Sequence, residues 1–284
     1  MEAPAMKIKE ILAAEKIEKA RKKESIFTGA RLISQASGGM EPGEIMAVSA
    51  PHAAGKTAFC VSAALFCAVK NNIKTLYLTS SRPANIANRL SGAGAKAPLY
   101  IEPVQGVSCE EIDEARPSEM ELLFQKYAYE EPAEKVRAMD PVEKHARKIP
   151  AWLVIIDSID YIYEYYPEQG DRAALRSGLL QKAVKEIKRL AEEYNAAVII
   201  TVNALETENG AELSREVASC APLVQYLCRL YWERDRSKRP QKVVFEILKN
   251  MRSGKWLISL NDPRQLWELF DPPGKKKKGG EICR

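Results

Sequence analysis

Histidine is scarce in this chain, and its cysteines are not paired in sequence. The 284 residues include two histidines and six cysteines, and the cysteines form no C-x-x-C pair. A histidine-rich metal site or a Ser-His-Asp triad therefore has little from which it could be built. Scattered cysteines are typical of small core residues in a reducing compartment. Cys60 and Cys67, seven residues apart in an apolar segment, are expected to face one side of a buried helix.

Long apolar runs and a strong excess of charge are also missing. No segment reaches the roughly 20 apolar residues that a helix needs to span a membrane, and residues 1–24 are too charged for a signal peptide. We therefore expect a cytoplasmic protein with no membrane partner. The net charge of +5, much of it in basic runs near the two termini, permits a nucleic-acid partner without requiring one.

What the chain does contain is a regular alternation of apolar strands and helices. This order predicts an α/β fold with a mostly parallel central sheet and helices on both faces. Strands are predicted at 44–49, 74–79, 98–102, 152–157, 197–203, 223–232, 241–249 and 256–260. Helices are predicted at 55–70, from residue 86 to 90 and beyond, and at 175–195.

One large domain is predicted at residues 26–271, with an insertion at about 103–150 packed on its rim. The insertion is rich in Glu, Lys and Pro and has helical patches at 119–127 and 143–147. Residues 1–25 are expected to hold an exposed helix whose narrow apolar stripe would dock on its own domain or on a neighbouring subunit. The basic tail at 272–284 is expected to be disordered.

The strongest functional signal is the segment APHAAGKT at residues 50–57. It lies between a predicted buried strand and a predicted apolar helix, as a phosphate-binding P-loop requires. In such a loop the lysine reaches the β- and γ-phosphates and the threonine hydroxyl ligates Mg²⁺. Ala50 replaces the usual first glycine, which a negative φ would tolerate. We therefore predict ATP and Mg²⁺ as cofactors. The predicted binding residues are Ala50, Pro51, His52, Ala53, Ala54, Gly55, Lys56, Thr57 and Ala58.

A second signal is the run LVIIDS, which places Asp157 at the end of a predicted buried strand. Ligands bind at the carboxyl ends of the strands in open α/β sheets. Asp157 is therefore predicted to hold Mg²⁺ through water, together with Thr57. Taken alone, an aspartate here would equally well cap the next turn. Its pairing with the P-loop favours the metal role.

Several segments resemble the ATPase domain of DnaB-type replicative DNA helicases, in the same order, from about residue 26 to residue 270. The resemblance is shared in part with RadA-type and KaiC-type ATPases of the wider RecA-like group. It implies a RecA-like fold, ATP hydrolysis and a homo-oligomeric, hexameric ring acting on single-stranded DNA in replication or recombination. The segments are IFTG (26–29), SGGMEPGE (37–44), TAF (57–59), PLYIE (98–102), VSCEEI (107–112), VKEIKRLA (184–191), NAAVI (195–199) and KNMRSG (249–254).

The resemblance also implies further site residues. Asn203 stands where the family has a glutamine that senses the γ-phosphate. Lys249 and Arg252 match the pair that reaches a neighbouring subunit's γ-phosphate, although two residues separate them here and the family usually has one. Surface basic residues on a hairpin are the alternative interpretation of this pair. Residues 1–25 correspond to the family's linker helix.

Two loops correspond to those that line the DNA channel of ring helicases. The first, 161–176, offers aromatic and basic side chains that stack on bases and meet phosphates, and the candidates there are Tyr165, Tyr166, Arg172 and Arg176. The second, 205–216, carries Arg215 among four glutamates. An acidic loop repels a phosphate backbone, which argues against a processive helicase.

The family's strand after the P-loop helix ends in a glutamate that orients the attacking water, and this chain lacks it. The corresponding end is Thr79-Ser80-Ser81, and the next carboxylate is Glu102. Asp160 is a substitute base or a helix cap. The sequence therefore leaves two hypotheses, a DNA-acting ring ATPase and a weakly hydrolysing regulatory or scaffold ATPase. A small-molecule kinase is disfavoured by the collinear RecA-like carboxyl half.

Overall fold

The computed structural model describes a large part of the chain. The described residues are Ile26, 39–90, 97–108, 117–130, 139, 149–164, 172–207, 210–234, 240–250, 256–260 and 280–283. The helix expected within residues 1–25 and the helical patch expected at 143–147 lie outside them.

A nine-stranded sheet forms the centre of the molecule, with strand order β13-β12-β11-β10-β1-β7-β5-β2-β3. Two small sheets pair β4 with β6 and β8 with β9. The strands are β1 (Ile45–Ala50), β2 (Thr75–Thr79), β3 (Leu99–Pro103), β4 (Val107–Ser108), β5 (Trp152–Asp157), β6 (Tyr163–Glu164), β7 (Ala196–Asn203), β8 (Leu205–Thr207), β9 (Gly210–Glu212), β10 (Tyr226–Arg234), β11 (Pro240–Asn250), β12 (Trp256–Leu260) and β13 (Gly280–Cys283).

The sheet is mostly parallel, as predicted. The strands from β10 through β1, β7, β5 and β2 to β3 run parallel, and β11, β12 and β13 continue the sheet antiparallel. Every residue of β1, β2 and β5 is buried. Burial on both faces explains why these strands are continuous apolar runs rather than alternating ones.

Helices cover both faces of this sheet, which confirms the predicted fold class. Phe59 of α1 stacks on Phe245 of β11 on one face, with ring centroids 5.1 Å apart. Phe124 of α3 contacts Trp152 of β5 on the other face at 5.6 Å. The helices are α1 (Lys56–Leu65), extended by a π-helical turn at Phe66–Lys70, α2 (Pro83–Arg89), α3 (Glu119–Tyr129), α4 (Ile159–Ile162), α5 (Arg172–Glu193) and α6 (Arg215–Cys220).

Helices α1 and α2 pack in one core cluster, and α3, α5 and α6 pack in the other. Helix α3, from the segment predicted as a rim insertion, covers the sheet near edge strand β3, where Lys126 pairs with Glu102 at 2.7 Å. Four cysteines are buried and free, namely Cys60, Cys67, Cys220 and Cys228. No helix among the described residues is long and apolar enough to cross a membrane.

Two parts of the chain differ from the sequence prediction. Helix α2 begins at Pro83, three residues before the predicted Ile86, because the fixed φ of proline suits the first turn of a helix. Residues 280–283 fall in the tail expected to be disordered, but they form β13 antiparallel to β12. The backbone groups at the open edge of β12 offer hydrogen bonds that an added strand satisfies.

Candidate functional site

The P-loop connects the end of β1 to the start of α1. Its two positive φ angles fall at Ala53, 59°, and at Gly55, 106°, and not at Ala50. Gly55 caps α1 in the left-handed conformation, which favours glycine because a Cβ atom is disfavoured there. Its carbonyl accepts the Phe59 N–H at 2.9 Å. The alanine that replaces the usual first glycine therefore lies in ordinary strand backbone.

The Lys56 side chain is folded over this loop. Its amine donates hydrogen bonds to the carbonyls of Ala50, at 2.8 Å, and Pro51, at 3.0 Å. Burial lowers the pKa of Lys56, while the nearby carboxylates of Asp160 and Asp157 act in the opposite direction. The amine therefore lies where the phosphates of a nucleotide in the loop would meet it.

Asp157 is held at the end of β5 by hydroxyl groups on both neighbouring strands. The Tyr77 hydroxyl of β2 donates to its Oδ2 at 2.7 Å, and the Thr201 hydroxyl of β7 donates to its Oδ1 at 2.9 Å. All three side chains are buried. These contacts fix the carboxylate and differ from those of a helix cap. Asp157 and the Thr57 hydroxyl both line the cavity described below, and hard oxygen ligands of this kind suit Mg²⁺.

Asp160 lies in the first turn of α4, three residues after the end of β5. Its Oδ2 accepts the Ser158 hydroxyl at 2.9 Å and the backbone N–H of Asn203 at 2.7 Å. Burial raises the pKa of Asp160, and these two hydrogen bonds, with the charges of Lys56 and Arg176, oppose the rise. Asp160 therefore ties the end of β5 to the end of β7.

These elements enclose one side of a cavity of about 360 Å³ at the carboxyl ends of the parallel strands. Its size lies in the range of small-molecule sites, and its position is where ligands bind in open α/β sheets. The lining residues are His52, Ala53, Gly55, Lys56, Thr57, Ala58, Ser80, Ser81, Arg89, Asp157, Ser158, Tyr161 and Asn203. The structure thus brings together the P-loop, Asp157 and Asn203, as the sequence predicts. Ala50, Pro51 and Ala54 shape the loop behind this lining.

The end of β2 reaches the cavity without a carboxylate. Thr79 is fully buried and its hydroxyl accepts the Ser81 N–H at 3.0 Å, whereas Ser80 and Ser81 line the cavity. Glu102 contacts Lys126 and Tyr127 instead. Among the described residues, Asp157 is the only carboxylate in the lining.

The remaining predicted residues do not line the cavity. Lys249 of β11 donates two hydrogen bonds of 2.6 Å to the carbonyls of Ala221 and Val224 in its own chain. Its pKa is lowered by burial. Arg252, Tyr165 and Tyr166 lie outside the described residues.

The two predicted channel loops contain regular structure. The first contributes to α4, β6 and the start of α5, where Arg172 is the first residue and Arg176 is exposed. The second forms the β8–β9 hairpin and the start of α6, where Arg215 is the first residue. For Arg172 and Arg215 only the backbone is described.

Sequence reasoning did not single out four residues of this site. Tyr77 and Thr201 hold Asp157, and Arg89 and Tyr161 line the cavity, with Tyr161 56% exposed. The available signal was polarity, because Tyr77 and Thr201 are polar residues inside otherwise apolar strands. Buried polar groups have hydrogen-bond partners, which points to a neighbouring polar residue such as Asp157.

Comparison with known proteins agrees with this geometry. Residues 30–203, more than half of the chain, match the sequence profile of the AAA domain family. No protein with a curated description is significantly similar in sequence. One solved structure, that of an isolated ATPase domain, superposes with a TM-score of 0.61 at 15% identity, covering 93% of this chain and 98% of that chain.

A second similar structure is "The Structure Of A DnaB-Like Replicative Helicase And Its Interactions With Primase". It superposes with a TM-score of 0.58 at 15% identity. The match covers 91% of this chain but 65% of that one. At this identity the two likenesses show the fold alone, which is that of a DnaB-like ATPase domain.

Proposed function

Since this chain belongs to the AAA domain family, we propose that it binds ATP·Mg²⁺ at the cavity at the ends of β1, β2, β5 and β7 and hydrolyses ATP slowly. In this proposal, the P-loop amides and Lys56 bind the phosphates. Thr57 and Asp157 hold Mg²⁺, which supplies charge neutralisation on the phosphates when it is bound. Asn203 contacts the terminal phosphate.

The observation that carries this proposal is the meeting of the P-loop and Asp157 across a single cavity. Lys56 and Thr57 start α1, and Asp157 ends β5, yet all three line the same space of about 360 Å³. A glycine-lysine-threonine segment by itself is common in proteins. Joined to a carboxylate fixed by two buried hydroxyls, it forms a site suited to a metal-bound nucleotide.

The direct test is ATP binding by a Lys56→Ala variant, measured by calorimetry in the presence of Mg²⁺. We expect the affinity for ATP to collapse because the variant loses the cation of the phosphate loop. Lys185→Ala is the matched control, since Lys185 is exposed on α5 and does not line the cavity. If Lys56→Ala binds ATP like the parent while remaining folded, the site assignment is wrong.

We further propose that the protein acts on single-stranded DNA as a ring-shaped homo-oligomer. The DnaB-like fold supports this proposal, as do the tyrosines and arginines of residues 161–176, which suit stacking and phosphate contact. The narrow apolar stripe in residues 1–24 is suited to docking on an adjacent subunit. Deleting these residues should shift the mass measured by light scattering toward a monomer. An unchanged mass distribution would contradict this role.

A specific observation favours a second candidate, a regulatory or scaffold ATPase that is not a motor. Ser80 and Ser81 occupy the end of β2, where a water-activating carboxylate would be expected. The acidic segment 205–216 also disfavours a DNA backbone. Measuring ATP turnover with and without single-stranded DNA separates the two candidates. Strong stimulation supports the DNA-acting ring, and slow turnover that DNA leaves unchanged supports the regulatory protein.

A further inference from the structure

The cavity contains a second cation that the P-loop does not supply. Arg89 is the last residue of α2 and lines the cavity. Among the described residues, Lys56 and Arg89 are the only lysine and arginine in the lining. The two approach from different elements, because Lys56 begins α1 and Arg89 ends α2.

The packing of α2 directs Arg89 out of the core. Ile86 and Leu90 are 2% and 4% exposed, and both belong to the core cluster that contains α1. Arg89 stands next to Leu90 but is itself exposed. A long arginine side chain that leaves a core keeps its charged end in a polar environment, which here is the cavity.

The charge of Arg89 acts on the group that holds Asp157. Burial raises the pKa of Tyr77 strongly, and the nearby Arg89 opposes that rise. The Tyr77 hydroxyl is the donor to Asp157 Oδ2. Arg89 therefore lies on the Asp157 side of the cavity, where a Mg²⁺ ion bridging the outer phosphates would be held.

The end of β2 is electrically unbalanced in a way that suits an anion. It presents Arg89 together with the uncharged Ser80 and Ser81, and Asp157, on the neighbouring strand, is the only carboxylate among the described lining residues. A cation without a local carboxylate creates a positive potential in a concave site. The P-loop wraps the inner phosphates, so the phosphate that extends toward Asp157 and β2 is the terminal one.

We propose that Arg89 binds the terminal phosphate of ATP and makes the site prefer a nucleoside triphosphate to a diphosphate. This inference rests on the proposed nucleotide site. It assigns the chain its own outer-phosphate cation, independent of any residue from a neighbouring copy. Arg89 forms charge-assisted hydrogen bonds to the terminal phosphate oxygens, and these bonds are lost when the ligand is ADP.

The test compares ATP and ADP binding by Arg89→Ala in the full chain, by calorimetry with Mg²⁺. ATP affinity should fall about 10- to 100-fold, as expected for a lost hydrogen bond to a charged group, with ADP affinity unchanged within about twofold. Arg89→Lys should lie between the parent and Arg89→Ala. Arg82→Ala is the matched control, since Arg82 is exposed, precedes α2 directly and does not line the cavity.

Two results would overturn the inference. One is an equal loss of ATP and ADP affinity in folded Arg89→Ala, and the other is no loss of either. If Arg89→Ala does not fold, Arg89→Gln keeps the aliphatic stem and allows the same comparison. A parent protein that binds neither nucleotide contradicts the nucleotide site itself, so the two failures are distinguishable.

Discussion

Replacing Ser80 with glutamate tests whether a missing carboxylate limits ATP turnover. Ser80 follows β2 directly and lines the cavity. A positioned general base contributes a factor of ~10²–10⁴ to a rate. We therefore expect the parent protein to bind ATP·Mg²⁺ well and to hydrolyse it about 10²–10⁴ times more slowly than an enzyme with the base in place.

The Ser80→Glu variant should recover only part of this factor. The new carboxylate would enter the cavity near Arg89, whose charge would both lower its pKa and attract it away from the attacking water. We expect a gain of at least about tenfold out of the available ~10²–10⁴. Ser80→Gln is the matched control, because it has the same size without the charge. Thr79→Glu should instead destabilise the fold, because Thr79 is fully buried.

The assay is phosphate release at saturating ATP and Mg²⁺, with nucleotide binding measured in parallel. Rapid hydrolysis by the parent would refute the reasoning. If that rapid rate were lost in Asp160→Asn, Asp160 would be the base, although it does not line the cavity. Equal gains in Ser80→Glu and Ser80→Gln would show that side-chain size, and not the carboxylate, had changed the rate.

Two further predictions concern the groups around Asp157. Tyr77→Phe removes the hydroxyl that donates to Asp157 Oδ2, so the free energy of unfolding in urea should fall by about 1.5–3 kcal/mol, and a Mg²⁺ titration should show weaker metal-dependent ATP binding; no change in either would contradict the role of Tyr77. The second prediction concerns pH, because burial raises the pKa of Asp160 and the folded protein holds a proton there that the unfolded chain has already lost. The stability contributed by this group is therefore greatest in acid and falls as the pH rises through the folded pKa. Asp160→Asn should be more stable than the parent at neutral pH and lose that advantage in acid, and urea denaturation showing an advantage independent of pH would contradict this.

The sequence predicted most of the sheet because its strands are uninterrupted apolar runs. The bounds of β5 and β12 agree with the prediction, since polar residues or glycine flank those runs. Strand β10 was predicted to start at residue 223 but starts at Tyr226. The preceding residues form a turn whose carbonyls at Ala221 and Val224 accept from the Lys249 amine. A contact between positions so far apart in the chain is not visible in a local pattern.

The same limit explains which parts of the site were predicted. The P-loop was recognised because its residues are contiguous, and Asp157 because it ends a buried run. Tyr77 and Thr201 belong to strands that flank β5 in space, but long segments separate them from it in the chain. Which strands flank β5 is decided by the topology of the sheet. Without that order, the two donors to Asp157 could not be paired with it.

The burial of the cysteines gives the molecule built-in reporters of its own opening. Cys60 lies in α1, three residues after Thr57, and burial raises the pKa of its thiol well above the ordinary range. Burial likewise raises the pKa of Cys228, and that of Cys220 to about 11. Alkylating reagents attack the thiolate, so these groups are protected by both burial and protonation. The rate at which Cys60 is alkylated therefore measures how often α1 separates from the sheet, and a bound nucleotide that stabilises the closed state slows it.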